Sequence, residues 1–194
     1  MPLASKLLSC AIALFVSTAS LAEVKPGPSA FEETAELRGA KLQLNGAGTR
    51  YRGPFKVYAA GLYLSRKAAT PEEVLAAAGT KRLAVTMLRD IDAGELGKLF
   101  VRSVEDNMEK TAFSRLVPGL MRMSQIFSDN RKLATGDSFT IDWIPGTGTV
   151  ISVRGIVQGE PFREPEFYAA LMRIWLGPSP ADWRLKEHLL GREA

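Results

Sequence analysis

Five stretches of the chain read as β-strands, and helical patterns fall between and after them. The segments are "ELRGAKLQL" (36–44), "FKVYAAGLYLS" (55–65), "KRLAVTMLRDI" (81–91), "DSFTIDWI" (137–144) and "TVISVRGIV" (149–157). They are rich in β-branched, aromatic and apolar residues and are bounded by turn formers. The third is apolar enough to sit centrally, and "PGTG" between the last two signals a hairpin. With no repeats and no linker inside 36–191, this order specifies one α+β domain, an antiparallel sheet with helices gathered mainly on one face.

The helix signals are equally local. Thr70-Pro71-Glu72-Glu73 is a capping box with proline at the first helical position, and Gly79 stops that short helix. Asp92, with Glu95 three residues on, caps a longer helix in which Leu96, Phe100, Val104 and Met108 follow helical spacing. A second helical stretch is expected to break near Pro118 and resume as "GLMRMSQIFSDN". "EPEFYAALMRIWLG" (164–177) forms another helix, and Ser179-Pro180-Ala181-Asp182 opens the last, which carries His188. "NGAGTR" (45–50) reads as a tight turn whose glycines supply positive φ.

The amino terminus reads as an export signal. Lys6, an apolar run from Leu7 to Val16 and Ser20-Leu21-Ala22 give charge, short apolar core and small residues at a cleavage site. Cleavage is expected after Ala22. Cys10 does not read as a lipidation site, because the apolar run continues past it. Cleavage removes Lys6 and no acid, so the formal charge falls by one, from +4 to +3. It also removes the only cysteine, which leaves no disulfide, thiol nucleophile or thiolate ligand. The expected location is periplasmic or secreted, with no transmembrane segment after cleavage and a loose polar arm over 23–35.

Composition narrows the function classes. Apolar content of 46% and charged content of 24% are ordinary for a globular chain. The basic residues are scattered, which argues against nucleic acid. One histidine excludes a two-histidine metal site, and no metal or cofactor is expected. Gly46-x-Gly48 lacks the third glycine and following helix of a dinucleotide fingerprint. The pairs Glu72-Glu73 and Glu105-Asp106 sit at a helix start and on a wet face. Trp143, Trp175 and Trp183 read as core or rim aromatics, and His188 as a solvated residue.

Arg50 stands apart. It follows small glycines and enters an apolar stretch, where a guanidinium needs a partner. That partner is either an internal carboxylate or the anionic head of a ligand, onto which arginine forks with two parallel bonds.

"LNGAGTR", "VYAAGLYL", "GKLFVRSVEDN" and "FYAALMRIWLGPSP" occur in this order and together resemble the chalcone isomerase superfamily, most closely its bacterial exported chalcone isomerase-like branch. The resemblance implies an open-faced β-sandwich, a large antiparallel sheet with a helical layer and a ligand cleft between them. It makes Arg50 the family's catalytic arginine. It puts Tyr58 where the enzymes carry a threonine, Phe100 where they carry a tyrosine, and Ile174 where they carry a serine or threonine. Asn107 matches their asparagine. Seven residues from Phe100, it is expected on the same helix face about 10 Å away.

Missing hydroxyls argue against efficient ring closure, since such donors are worth orders of magnitude in rate. The plant fatty-acid-binding relatives pair the arginine with a tyrosine to hold a carboxylate, and Arg50 with Tyr58 resembles that arrangement. The expected function is non-catalytic binding of a small amphipathic anion such as a fatty acid. Arg50 and Tyr58 would hold the head, Phe100 and Ile174 would line the tail, and Asn107 would orient the head or hold the helix. The alternatives are an isomerase or intramolecular lyase using Arg50 on an unknown substrate, and an accessory protein without a small ligand.

Overall fold

The computed structural model describes residues 31–193; the expected export signal and Cys10 lie outside them. The strands are β1 (Thr34–Leu37), β2 (Ala40–Arg52), β3 (Phe55–Leu64), β4 (Lys81–Met87), β5 (Ile91–Asp92), β6 (Lys132–Leu133), β7 (Ser138–Ile144), β8 (Gly148–Val153) and β9 (Ile156–Val157). The helices are α1 (Pro71–Ala76), α2 (Ala93–Glu105), α3 (Lys110–Asp129), α4 (Pro165–Leu176) and α5 (Trp183–Leu189). Seven strands form one antiparallel sheet in the order β1-β2-β3-β4-β7-β8-β9, and β5 pairs with β6 apart from it. The sheet and its helical layer are the open-faced β-sandwich expected from the sequence. Every side chain of the described apolar core comes from residues 42–190, so the chain from Glu23 onward carries that core complete.

The apolar strands are central, as their composition requires. β3 is buried along eight consecutive residues from Val57 to Leu64, and β4 alternates buried and half-buried positions. The capping box forms as read: the Thr70 hydroxyl accepts from the Glu73 amide, and the Glu73 carboxylate accepts from Thr70. Asp92 caps α2 through the Glu95 amide. On the sheet's other face, a bidentate ion pair joins Arg82 to buried Asp142 at 2.8 and 2.7 Å.

Several local expectations are corrected. "NGAGTR" is not a turn. It continues β2 to Arg52, and neither Gly46 nor Gly48 has positive φ. The chain reverses at Arg38-Gly39 and at Gly53-Pro54, with Gly39 at φ +78° and Gly53 at +58°. The glycines of β2 serve packing: a Cβ on Gly46 would run into the carbonyl oxygen of His188, and one on Gly48 would lie 2.8 Å from the His188 Cβ and Nδ1. They let α5 lie directly against β2. His188 is accordingly half-buried against the sheet rather than solvated.

Helix α3 runs unbroken from Lys110 to Asp129 with Pro118 inside it. Pro118 and Ser114, whose carbonyl loses its partner to the proline ring, are both exposed, so water can satisfy the freed oxygen. "TVISVRGIV" is two strands, because Arg154 (φ +50°) and Gly155 (φ +76°) form a two-residue hairpin turn. Of the expected arm, Phe31–Ala35 is held against the sheet. A Cβ on Gly61 would meet the Phe31 ring at 2.8 Å, the Tyr63 hydroxyl donates to the Glu32 carbonyl at 3.0 Å, and β1 begins at Thr34.

Candidate functional site

The β2 glycines and Arg50 are two residues apart along an extended strand, so Gly46, Gly48 and Arg50 share the face on which α5 lies. Arg50 pairs directly across the ladder with Tyr58 of β3. A register shift follows, between Arg50 and Tyr51. The Arg50 guanidinium carbon lies 5.6 Å from the centre of the Tyr58 ring. Its Nε makes one long bond, 3.4 Å, to the carbonyl oxygen of Ala181.

Arg50 has no carboxylate within 4 Å among the described residues. Asp182, next to Ala181, spends its oxygens elsewhere. Oδ1 accepts from the Arg184 and Leu185 amides, capping α5, and Oδ2 accepts from the Tyr51 amide at 2.9 Å. The internal-carboxylate reading of Arg50 therefore finds no partner in the described structure. The terminal guanidinium nitrogens have no protein acceptor among those residues.

Tyr58 is fully buried, and its hydroxyl accepts from the Trp175 indole at 2.8 Å. That bond leaves the hydroxyl's own proton free to donate. Burial raises the phenol to about 12, with the Arg50 charge pulling the other way. By sequence alone Trp175 is a core or rim aromatic. Its indole N–H gives it a polar role that spacing cannot reveal.

The other selected residues lie one layer further in. Phe100 is buried in an aromatic cluster, its ring centre 5.4 Å from Phe127, 5.9 Å from Phe139 and 5.4 Å from Trp175. Ile174 is buried, and its carbonyl accepts from the Ala181 amide at 2.8 Å. Asn107 is not on the same helix as Phe100, since α2 ends at Glu105. Its amide donates to the carbonyls of Ser103 and Ser179, and its oxygen accepts from the Ser179 amide. All its side-chain hydrogens are engaged, and its carbonyl oxygen packs against Gly177 so closely that a Cβ there would collide with it. Thus Asn107, Ile174 and Arg50 all bear on one segment, 177–182, between α4 and α5.

The described cavities lie elsewhere. The largest, about 530 Å³, is bounded by the middle of α3 and by Pro161–Phe167; others of about 360 and 220 Å³ lie beside Met108 and Asp90. None of these three is lined by Arg50, Tyr58, Phe100, Asn107 or Ile174. Among the described residues no cluster of three or more His, Cys, Asp or Glu side chains could hold a metal, and no helix is long and apolar enough to cross a membrane.

Arg50 offers two free donor nitrogens and Tyr58 one hydroxyl. Phe100 and Ile174 bring no hydroxyl.

The fold has a counterpart among solved structures, a fatty-acid binding protein of Arabidopsis thaliana. It superposes with a TM-score of 0.63 at 16% identity, over 82% of this chain and 90% of that one. No curated protein sequence matches the chain. The model of the chalcone isomerase-like family matches residues 24–191, nearly the whole of the expected mature chain. With that match on top of the open-faced sheet and its arginine strand, the chain belongs to the chalcone isomerase-like family.

Proposed function

We propose that this protein binds a small amphipathic anion, such as a fatty acid, at Arg50, and that it is exported to the periplasm to do so. The observation that carries the reading is the half-buried Arg50 guanidinium, opposite Tyr58, with no carboxylate partner among the described residues. A half-buried guanidinium without a counter-ion has given up part of its hydration, and an anionic ligand would supply the missing partner. The printed identity of the Arabidopsis neighbour, a fatty-acid binding protein, supports the same class of ligand. Phe100 and Ile174 are close-packed, so an acyl tail would enter only as that packing opens. That packing is also the specific observation favouring the second reading, an accessory protein with no small ligand.

Native mass spectrometry of exported protein tests both halves of the proposal. The expected spectrum shows a chain beginning at Glu23 with a fatty-acid-sized adduct that Arg50→Ala lacks. In thermal melts, a fatty acid at about 100 times its Kd should stabilise the wild type by about 2.7 kcal/mol. That corresponds to a rise of roughly 5–10 °C for a domain of this size. The Arg50→Ala midpoint should not respond to ligand. A wild type that ignores fatty acids, with Arg50→Ala melting far lower, would assign Arg50 to structure. Arg50-dependent cyclisation of an enone would return the isomerase reading.

A further inference from the structure

One end of the molecule carries an unusual surface. The strip from Tyr51 to Lys56, which turns β2 into β3, is exposed at every residue. Tyr51 and Phe55 are among the few large apolar side chains left in water, and so is Trp183 at the start of α5; Phe55 and Trp183 are each 60% exposed. Trp183 belongs to the same end, because Asp182, the residue before it, binds the Tyr51 amide.

Cations surround these aromatics. Arg52 and Lys56 flank the hairpin tip. The Arg89 guanidinium lies 5.5 Å from the Phe55 ring centre, and that of Arg184 lies 5.4 Å from Trp183. None of these four cations has an ion-pair partner among the described residues. The acids next to Trp183 and Arg89 in the chain are engaged: Asp182 by backbone amides, and Asp90 by Lys132 at 2.6 Å.

Single exposed apolar residues need no explanation. Three exposed aromatics and four unpaired cations at one end of the sheet have a specific physical meaning. Tryptophan and tyrosine settle at the headgroup level of a bilayer, and arginine and lysine are drawn to anionic headgroups. We propose that this end of the sheet docks on an anionic phospholipid surface, with Phe55 and Trp183 entering the interface and Arg52, Lys56, Arg89 and Arg184 meeting the headgroups. A second copy of the chain fits poorly, because it would bring like charges together. Docking does not depend on the ligand reading. If that reading holds, Arg50 lies next to Tyr51, so a lipid anion could pass from bilayer to guanidinium along the docked face.

The test uses the chain from Glu23 onward, which lacks the apolar run 7–16. It is mixed with phosphatidylglycerol-rich vesicles and, separately, with vesicles of phosphatidylcholine alone. The expected result is salt-sensitive co-sedimentation with the anionic vesicles and a blue shift of tryptophan emission that Trp183→Phe abolishes. Trp143 is half-buried and Trp175 buried, so Trp183 is the reporter. Each cation removed should weaken binding about fivefold, so Arg52→Gln with Lys56→Gln should cost about 25-fold. Phe55→Ser with Trp183→Ser should weaken it comparably while leaving the melting midpoint unchanged. No anionic-vesicle binding by the wild type, or double variants that bind as tightly as the wild type, overturns the proposal and leaves the patch to a protein partner. Fatty-acid melts of the same variants in vesicle-free solution should keep the wild-type shift, which separates failure here from failure of the ligand reading.

Discussion

The two glycines of β2 give the sharpest test of how this fold is assembled. If they serve close approach of α5, alanine at each should destabilise in proportion to what its methyl meets. At Gly53, φ is +58° and nothing lies within 4 Å, so Gly53→Ala carries only backbone strain, about 1 kcal/mol. At Gly48 the methyl meets His188 at 2.8 Å and the Leu185 side chain at 3.1 Å. Ordinary carbon contacts are about 3.5–4.0 Å, so α5 must yield by several tenths of an ångström. Such overpacking costs about 1–3 kcal/mol, offset by roughly 0.5–1 kcal/mol because alanine loses less backbone entropy than glycine. At Gly46 the obstacle is the His188 carbonyl, which no rotamer change can remove. There α5 must lift, exposing Leu185 and Leu189, each worth about 1.5–3 kcal/mol when buried. The predicted order of damage is Gly46→Ala, then Gly48→Ala, then Gly53→Ala. At about 2–4 °C per kcal/mol, Gly46→Ala should melt at least about 6 °C below wild type. Thermal melts of the three variants read this directly. A Gly46→Ala protein that melts with the wild type, or no lower than Gly53→Ala, would refute the close-approach argument.

Two buried polar residues, Tyr58 and Asn107, carry the remaining expectations. Tyr58→Phe leaves the Trp175 N–H without an acceptor and should cost about 1–3 kcal/mol. Because burial raises the Tyr58 phenol to about 12, its stabilisation is whole below the unfolded tyrosine value near 10 and is lost as pH rises towards about 12. Urea melts across that window should fall more steeply for the wild type than for Tyr58→Phe, with Tyr168, also raised by burial, contributing in the same direction to both; equal slopes would remove Tyr58 as the cause. Asn107→Ala deletes three hydrogen bonds and should destabilise by about 2–3 kcal/mol while the fatty-acid shift survives. Loss of the shift with stability intact would make Asn107 a ligand residue instead.

The pattern of strand and helix was legible in the chain because its causes are local. The Thr70–Glu73 box, the Asp92 cap and the Pro145–Gly148 hairpin act through neighbouring residues and appear where the sequence put them; the apolar strands appear too, but 36–44 and 149–157 are each divided by a turn and 81–91 ends as a strand at Met87. Arg50 and Tyr58, which the family resemblance sets together as an anion site, are ladder neighbours in the structure. What failed was whatever depended on a distant neighbour. Gly46 and Gly48 read as a turn because glycine's backbone freedom is visible in sequence, whereas an α5 arriving 140 residues later is not. Pro118 read as a helix break because nothing local shows that its freed carbonyl faces water. Asn107 read as a partner of Phe100 on one helix, but α2 ends before it, and its amide is spent on segment 177–179. Whether Arg50 met a carboxylate was likewise a tertiary matter. Asp182 follows Ala181, whose carbonyl takes the Arg50 Nε, but the fold turns both its oxygens to backbone amides of α5 and β2, leaving the guanidinium without a charged partner among the described residues.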